Sequence, residues 1–535
     1  MDHPNRRQCR DTRSISGGGS RRSGKMAAIF NSGRKPVSGR RRLNSLRQLV
    51  SQTAIYGLSS IIGRFLNYLL VPLYTYTFSA TEYGVVSEFY AYAGFFAVVL
   101  VMGLETGYFR FRQKPEYSGD QVYSGALSFL TVANLGFVAA VYYWQQDLAD
   151  GLRYPEHPEY VLWFACILAL DAVTALPFAQ LRAENKAWRF AGIKLTEIFI
   201  TIALNLFFLL LCPKLPQLWP QLPIDWIFDP HMGVGYIFVS NLIASGCKCL
   251  LLLPQFRRVP LRFDPALLGP ILRYSLPMVV IGFAGMVNEM LDRAILKQLL
   301  PYDLATNLKM LGIYGACYKL SILMSLFVQA FRYAGEPFFF SYAGRADAKR
   351  AYAVVMHYFV IAGMFIFLLV MLYIDLFKYF IGEEFRAGLE VVPILLLANL
   401  LLGIYVNLSV WYKLSDRTGL GAWVSLAGAA LTIGLNICWI PVWGYVGSAW
   451  ATLACYGFMV GLSWLLGRIY YPVAYPLVKI VAYIGLGLGV YFANRYLLAE
   501  FHWNAWLSGT AGLALYLAVA GIVDFSPLFR RARSN

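Results

Sequence analysis

Long apolar runs separated by short polar stretches make up most of the chain. Fourteen of them reach the ~20 residues that a helix needs to cross a hydrocarbon core of ~30 Å. They fall at about 52–76, 83–107, 121–143, 159–181, 190–212, 232–254, 271–298, 310–333, 352–373, 387–411, 420–440, 444–466, 474–493 and 503–523. Apolar and polar residues do not alternate within them, which argues against the shorter, alternating spans of a β-barrel. The pattern predicts an all-α multi-pass membrane protein with about 14 transmembrane helices.

The polar stretches differ in charge in strict alternation. One set carries Arg110, Arg112 and Lys114; Arg182, Lys186 and Arg189; Arg257, Arg258 and Arg262; Arg345, Lys349 and Arg350; Lys413 and Arg417; Arg468; and Arg530, Arg531 and Arg533. The other set has only Arg153, Lys214, Lys309, Lys378, Arg386 and Arg495. Cation-rich loops mark the cytoplasmic side, so both termini are expected there. The longest connection on the other side, near Cys212 to His231, is Pro-rich and about 20 residues long. That leaves no room for a soluble catalytic domain, so a transporter is expected in place of an enzyme such as a sugar polymerase or ligase.

The runs also repeat. "ITIALN" (Ile200–Asn205) faces "LTIGLN" (Leu431–Asn436), with the two asparagines 231 positions apart. At the same offset "LRAENK" (Leu181–Lys186) faces "YKLSDR" (Tyr412–Arg417), "GLETGYF" (Gly103–Phe109) faces "AGEPFFF" (Ala334–Phe340), and Gly84 meets Gly315. Nearer the start the offset slips to 229, where Arg64 meets Arg293 and Pro72 meets Pro301. Near the end Gly233 meets Gly444, an offset of 211. Loop-sized slips with order preserved are the signature of an internal repeat. A six-helix unit begins and ends on one side, so it copies without inversion: two six-helix bundles are related by a parallel repeat, plus two extra C-terminal helices. The domains read as a basic tail (1–47), an N-terminal bundle (48–256), a C-terminal bundle (257–467) and the extra helices with a cytoplasmic tail (468–535). Two similar bundles that rock about a shared cavity make an alternating-access transporter. The paired asparagines then occupy equivalent places, where hydrogen bonding between helices is the plainer role.

Composition agrees. Charged residues are 14% of the chain, against about 25% in soluble domains, and the mean hydropathy is +0.54. The net charge is +17, and residues 1–50 alone hold 13 Lys or Arg against Asp2 and Asp11. In front of a membrane body, such a tail reads as disordered and held to anionic membrane lipids, not to nucleic acid. "SISGGGS" (Ser14–Ser20) within it reads as flexible linker. No apolar run precedes a cleavage site, so no signal peptide is expected, and Met26 is an alternative start to Met1. Most of the eight cysteines lie in apolar runs, and "CKC" (Cys247–Cys249) lacks a second pair at zinc spacing. No histidine cluster has metal spacing, and "GLGLG" (Gly485–Gly489) lies inside an apolar run, where it suits close helix packing. No cofactor is expected beyond a possible coupling ion, H+ or Na+.

Charges within apolar runs cost at least ~2.5–3.5 kcal/mol on insertion scales, so they are expected to face a cavity or a partner. Arg64 in the first run and Arg293 in the seventh would face one cavity from opposite walls. Guanidinium binds phosphate bidentately and keeps its proton, which suits a diphosphate headgroup. The structural alternative pairs Arg293 with Asp292 beside it or with Glu289 one helical turn away. Lys319 is equivalent to Glu88, and the two could pair as an outer gate. Glu105, Arg110, Arg332 and Glu336 cluster at the cytoplasmic ends of the second and eighth runs as an inner gate, or snorkel to water. Asp171 and Glu197 are candidates for ion coupling or for hydrogen bonds between helices.

"AIYGLSSIIGRFLNYLLVPLYTYTFSATEYGVVSEFYAY" (Ala54–Tyr92) resembles the opening of bacterial polysaccharide-biosynthesis flippases. "GLETGYFRF" (Gly103–Phe111), "LPMVVIGFAGMVNEMLDRAIL" (Leu276–Leu296) and "IPVWGYVGSAWATL" (Ile440–Leu453) look like their later landmarks. The resemblance runs from about residue 45 to 523 and is to the O-antigen and capsule flippases of the multidrug/oligosaccharidyl-lipid/polysaccharide exporter superfamily. It implies a V-shaped pair of six-helix bundles in the bacterial inner membrane. It also implies movement of an undecaprenyl-diphosphate-linked oligosaccharide, beside glycosyltransferases and a polymerase. The first and seventh helices would line a cationic cavity, matched here by Arg64 and Arg293 and more weakly by Lys319. The alternative within the superfamily is a proton- or sodium-coupled cation or drug antiporter, whose cavity would be acidic or apolar.

Overall fold

The computed structural model describes residues 57–218, 228–260, 262–501 and 504–525. The basic tail, Cys9, His3, His502, Arg530, Arg531, Arg533 and the middle of the Pro-rich connection lie outside the described residues.

Fourteen long helices, some of them broken, follow in order among the described residues. They are α1 (57–77, interrupted at Leu69), α2 (Ala80–Val101, continued by Leu104–Phe111), α3 (Gly119–Tyr143), α4 (Pro158–Ala183), α5 (Ala187–Leu206), α6 (Gly235–Leu251) and α7 (Pro265–Leu299). Then come α8 (Leu304–Leu320 and Ile322–Tyr342), α9 (Ala348–Leu372) and α10 (Val392–Leu408 and Val410–Leu414). Helices α11 and α12 are the two halves of Thr418–Tyr470, divided at Gly444, and α13 (Leu477–Phe501) and α14 (Ala505–Ala520) complete the series. By length and apolarity ten spans stand out among the described residues, or eleven with the two halves of α8 taken as one. The rest follow because Thr418–Tyr470 is two helices, α6 has only 17 residues and α1 is broken.

Local chemistry explains where helices start and bend. Ser79 with Glu82 and Ser118 with Gln121 form capping boxes that open α2 and α3. The Asp264 and Asp303 side chains accept backbone N–H groups at the starts of α7 and α8. Both helices therefore begin about six residues before the apolar runs at 271 and 310, because a cap sets a helix start and hydropathy does not. Gly444, at φ +61°, reverses the chain between α11 and α12 in a conformation open to glycine. Helix α2 is broken where Met102 and Gly103 both take positive φ, and α8 bends by 51° at Ser321.

Helices α1–α6 and α7–α12 form the two bundles, and α13 and α14 pack on α9. The parallel repeat is visible in equivalent contacts. Arg182 pairs with Glu105 in the first bundle and Lys413 with Glu336 in the second, each 77 residues apart. Asn205 and Asn436 each donate to the carbonyl four residues back, on Thr201 at 2.7 Å and Thr432 at 2.8 Å. Each also joins a neighbouring helix: Asn205 accepts from Tyr74 of α1 at 3.0 Å, Asn436 from Ser448 of α12 at 2.9 Å. Of the "GLGLG" glycines only Gly487 meets a neighbour, Met364 of α9; Gly485 and Gly489 face open space.

The bundles meet most closely where α2 crosses α8. A Cβ on Gly84 would stand 2.1 Å from the Leu308 carbonyl oxygen, and one on Gly312 would stand 1.9 Å from that of Ala80. Backbone lies on backbone, so neither neighbour can swing aside. Gly312→Val is expected to destabilise the protein by about 1–3 kcal/mol or more through overpacking. A thermal midpoint equal to wild type in detergent would refute that close contact.

Candidate functional site

A cavity of about 620 Å³ lies against the first bundle and is bounded across from it by α7 and α8. Its walls hold Arg64 (α1), Asp171 (α4), Lys194 and Glu197 (α5), Arg293 (α7) and Lys319 (α8). The three cations singled out for substrate contact therefore line one volume. Arg64 and Lys319 have no hydrogen-bond or ion-pair partner among the described residues. Lys319 lies within electrostatic reach of both Arg64 and Arg293.

Arg293 is held firmly. Its Nε reaches Asp292 Oδ1 at 3.3 Å, its guanidinium stacks 4.0 Å over Tyr318, and it donates to the main-chain oxygen of Glu289. The link to Glu289 therefore runs to the backbone and not to the carboxylate. Tyr314 donates to the other Asp292 oxygen at 2.6 Å. Asp292 thus fixes the Arg293 side chain at the cavity wall, combining the pairing and cavity-facing roles that the sequence left open.

The two acidic wall residues have lysine counter-ions. Lys248 of α6, only 2% exposed, reaches Asp171 at 2.5 Å and Glu197 at 2.7 Å. Lys194 holds the other Glu197 oxygen at 3.0 Å, and Ser245 donates to Asp171 at 2.7 Å. Two carboxylates and two ammoniums balance, and Asp292 offsets Arg293, so the excess positive charge of the cavity rests on Arg64 and Lys319.

The expected pair of Glu88 with Lys319 is not made. Glu88 instead pairs at 2.7 Å with Lys297 of α7, both buried to within 1%. Lys297 also donates to Leu152 O at 2.8 Å, and Tyr154 and Tyr92 donate to Glu88. The physical reason is facing: Glu88 turns toward α7 and Tyr154, away from the cavity, whereas Lys319 lines the cavity with Arg64 and Arg293.

The proposed inner gate also divides. Glu105 and Glu336 each pair within their own bundle, Arg110 stacks 5.0 Å from the Tyr274 ring, and Arg332 is exposed without an ion pair among the described residues. Contacts that do cross between bundles on the side away from the basic loops include Tyr76 donating to Tyr379 O at 3.0 Å and Gly382 donating to Thr75 Oγ1 at 3.1 Å. Ala80 N–H donates to Glu384 at 2.9 Å. Lys309, 2.9 Å from Glu384, together with that N–H holds the Glu384 carboxyl below the usual carboxylate range. On the basic-loop side Gly57 of α1 lies against the Tyr333 ring of α8.

Lys194, Lys248 and Lys297 escaped the sequence reading. The available signal was that each intramembrane carboxylate demands a cation.

Among solved structures, the chain is similar to the lipid II flippase MurJ in an inward closed conformation, at 15% identity over 90% of this chain and 99% of that one, with a TM-score of 0.65. It is similar to a multidrug resistance MATE family transporter of the MOP superfamily in its inward-facing conformation, at 13% identity over 78% of this chain and 94% of that one, TM-score 0.60. The outward-facing conformation of such a transporter gives 13% identity, 78% and 95% coverage and a TM-score of 0.56. No family model and no curated protein sequence matches. The fold is that of these transporters.

Proposed function

We propose that this protein is a flippase that moves a polyprenyl-diphosphate-linked oligosaccharide, an O-unit or a capsule repeat, across a bacterial inner membrane by alternating access. The observation that carries the reading is the positive charge of Arg64 and Lys319, without counter-ions among the described residues, beside the Asp292-held guanidinium of Arg293 in a cavity bounded by both bundles. A diphosphate offers the matching charge, and two guanidiniums can grip it through paired N–H donors. The basic-loop side is taken as cytoplasmic, where such lipids are loaded, and glycosyltransferases and a polymerase are the expected neighbours. The contacts at Thr75, Ala80 and Glu88 would close the periplasmic side during loading.

The second reading, a cation or drug antiporter, draws on Asp171 and Glu197 in the same wall. Both carboxylates are engaged by Lys248, so a coupling H+ or Na+ would have to displace that ammonium. The anionic-lipid reading is therefore preferred.

The test is reconstitution in liposomes with a fluorescent polyprenyl diphosphate oligosaccharide. Transfer between leaflets by the wild type supports the flippase. If the protein ignores the lipid yet exports organic cations against a proton gradient, the antiporter reading takes its place.

A further inference from the structure

Lys248 stands out among the buried groups. It lies on α6 near the basic-loop end, is almost wholly enclosed, and yet touches no cavity space itself. What it touches is the cavity's acidic wall. Asp171 and Glu197 come from different helices, α4 and α5, and both line the cavity. The Asp171 side chain is 47% exposed. An ammonium placed behind two carboxylates cancels their field within the cavity while leaving their oxygens in the wall.

We propose that Lys248 determines the charge preference of the cavity: as a tethered counter-ion to Asp171 and Glu197, it lets the site accept an anionic headgroup and turn away lipophilic cations. The inference rests on the flippase reading for the anion and adds the residue that excludes the opposite substrate class. Without Lys248 the cluster of Asp171, Glu197, Lys194 and Ser245 carries one net negative charge. The freed carboxylate is Asp171, the one most open to the cavity, facing Arg64 and Lys319 across it. Specificity then comes from a suppressed attraction to the wrong ligand as much as from attraction to the right one.

A purely structural Lys248 would weld α4, α5 and α6 together and would affect stability alone. The discriminating readout is the ratio of two affinities. The full chain in nanodiscs is titrated with rhodamine 6G, a lipophilic fluorescent cation, and with a fluorescent polyprenyl diphosphate. Lys248→Met is expected to bind rhodamine about tenfold more tightly than wild type and the diphosphate several-fold more weakly. Lys248→Arg should keep the wild-type ratio, and Lys248→Met/Asp171→Asn/Glu197→Gln should lose the rhodamine gain. If Lys248→Met does not fold, Lys248→Gln carries the test, since its amide can still donate to the two carboxylates while the cluster keeps one net negative charge. Unchanged rhodamine affinity in whichever folded variant carries the test overturns the proposal. Failure of the wild type to bind diphosphate overturns the flippase reading alone, and the rhodamine comparison still decides the role of Lys248.

Discussion

Replacing Arg64 by alanine is expected to cut lipid transfer in liposomes by at least about tenfold while leaving the thermal midpoint unchanged. The magnitude follows from losing one charge-assisted hydrogen-bonding group, worth ~1.5–3 kcal/mol, at about 1.4 kcal/mol per factor of ten. The unchanged midpoint follows because Arg64 has no partner among the described residues and opens into the cavity. Arg64→Lys should fall between, since it keeps the charge but not the planar fork. Arg293→Ala should lose transfer too, but with a lowered midpoint, because Asp292, 3% exposed, loses its cation. Transfer and melting measured on the same preparations separate the two. Wild-type transfer by Arg64→Ala would sink the cationic-cavity account.

Lys297→Met should be the most destabilising of these single substitutions, by about 3–5 kcal/mol, because it leaves a buried carboxylate without its counter-charge. Glu88 would keep hydrogen bonds from Tyr92, Tyr154 and Gln298 but no cation. Adding Glu88→Gln removes the stranded charge, so the double variant should recover most of the loss. The check is a double-mutant cycle on thermal unfolding in detergent. Additive losses from Lys297→Met and Glu88→Gln would mean that the pair contributes nothing through its charges.

The architecture was legible because helix number depends on apolar length, which a sequence states directly. The repeat was legible because shared ancestry of the halves leaves matched residues at a fixed offset. The site was legible in part. Arg64, Arg293 and Lys319 were found because charge inside an apolar run is conspicuous. Their partners were not, because pairing depends on which helices lie side by side. Glu88 was matched to Lys319 as a repeat equivalent, whereas α2 also packs on α7 and there meets Lys297. Equivalence says which residues play the same part in each half, and they touch only near the axis relating them. Gly84 and Gly315 come near that condition at the α2–α8 crossing, Gly84 against Leu308 and Gly315 against Ser87.

That crossing has a mechanical consequence. Bare backbone contact at Gly84 and Gly312 makes a thin fulcrum near one end of α2. From Gly84 to Val101 the helix forms a lever of ~26 Å, so a tilt of ~10° about the fulcrum sweeps its far tip by ~4–5 Å. Glu88 lies about one turn from the pivot, where the same tilt moves it by only ~1 Å. A small rotation can therefore widen the basic-loop mouth with the Glu88–Lys297 pair intact. Opening the other mouth in the proposed cycle would instead part the crossing itself and the Thr75–Gly382 and Ala80–Glu384 contacts beside it, so the two strokes would face unequal resistance.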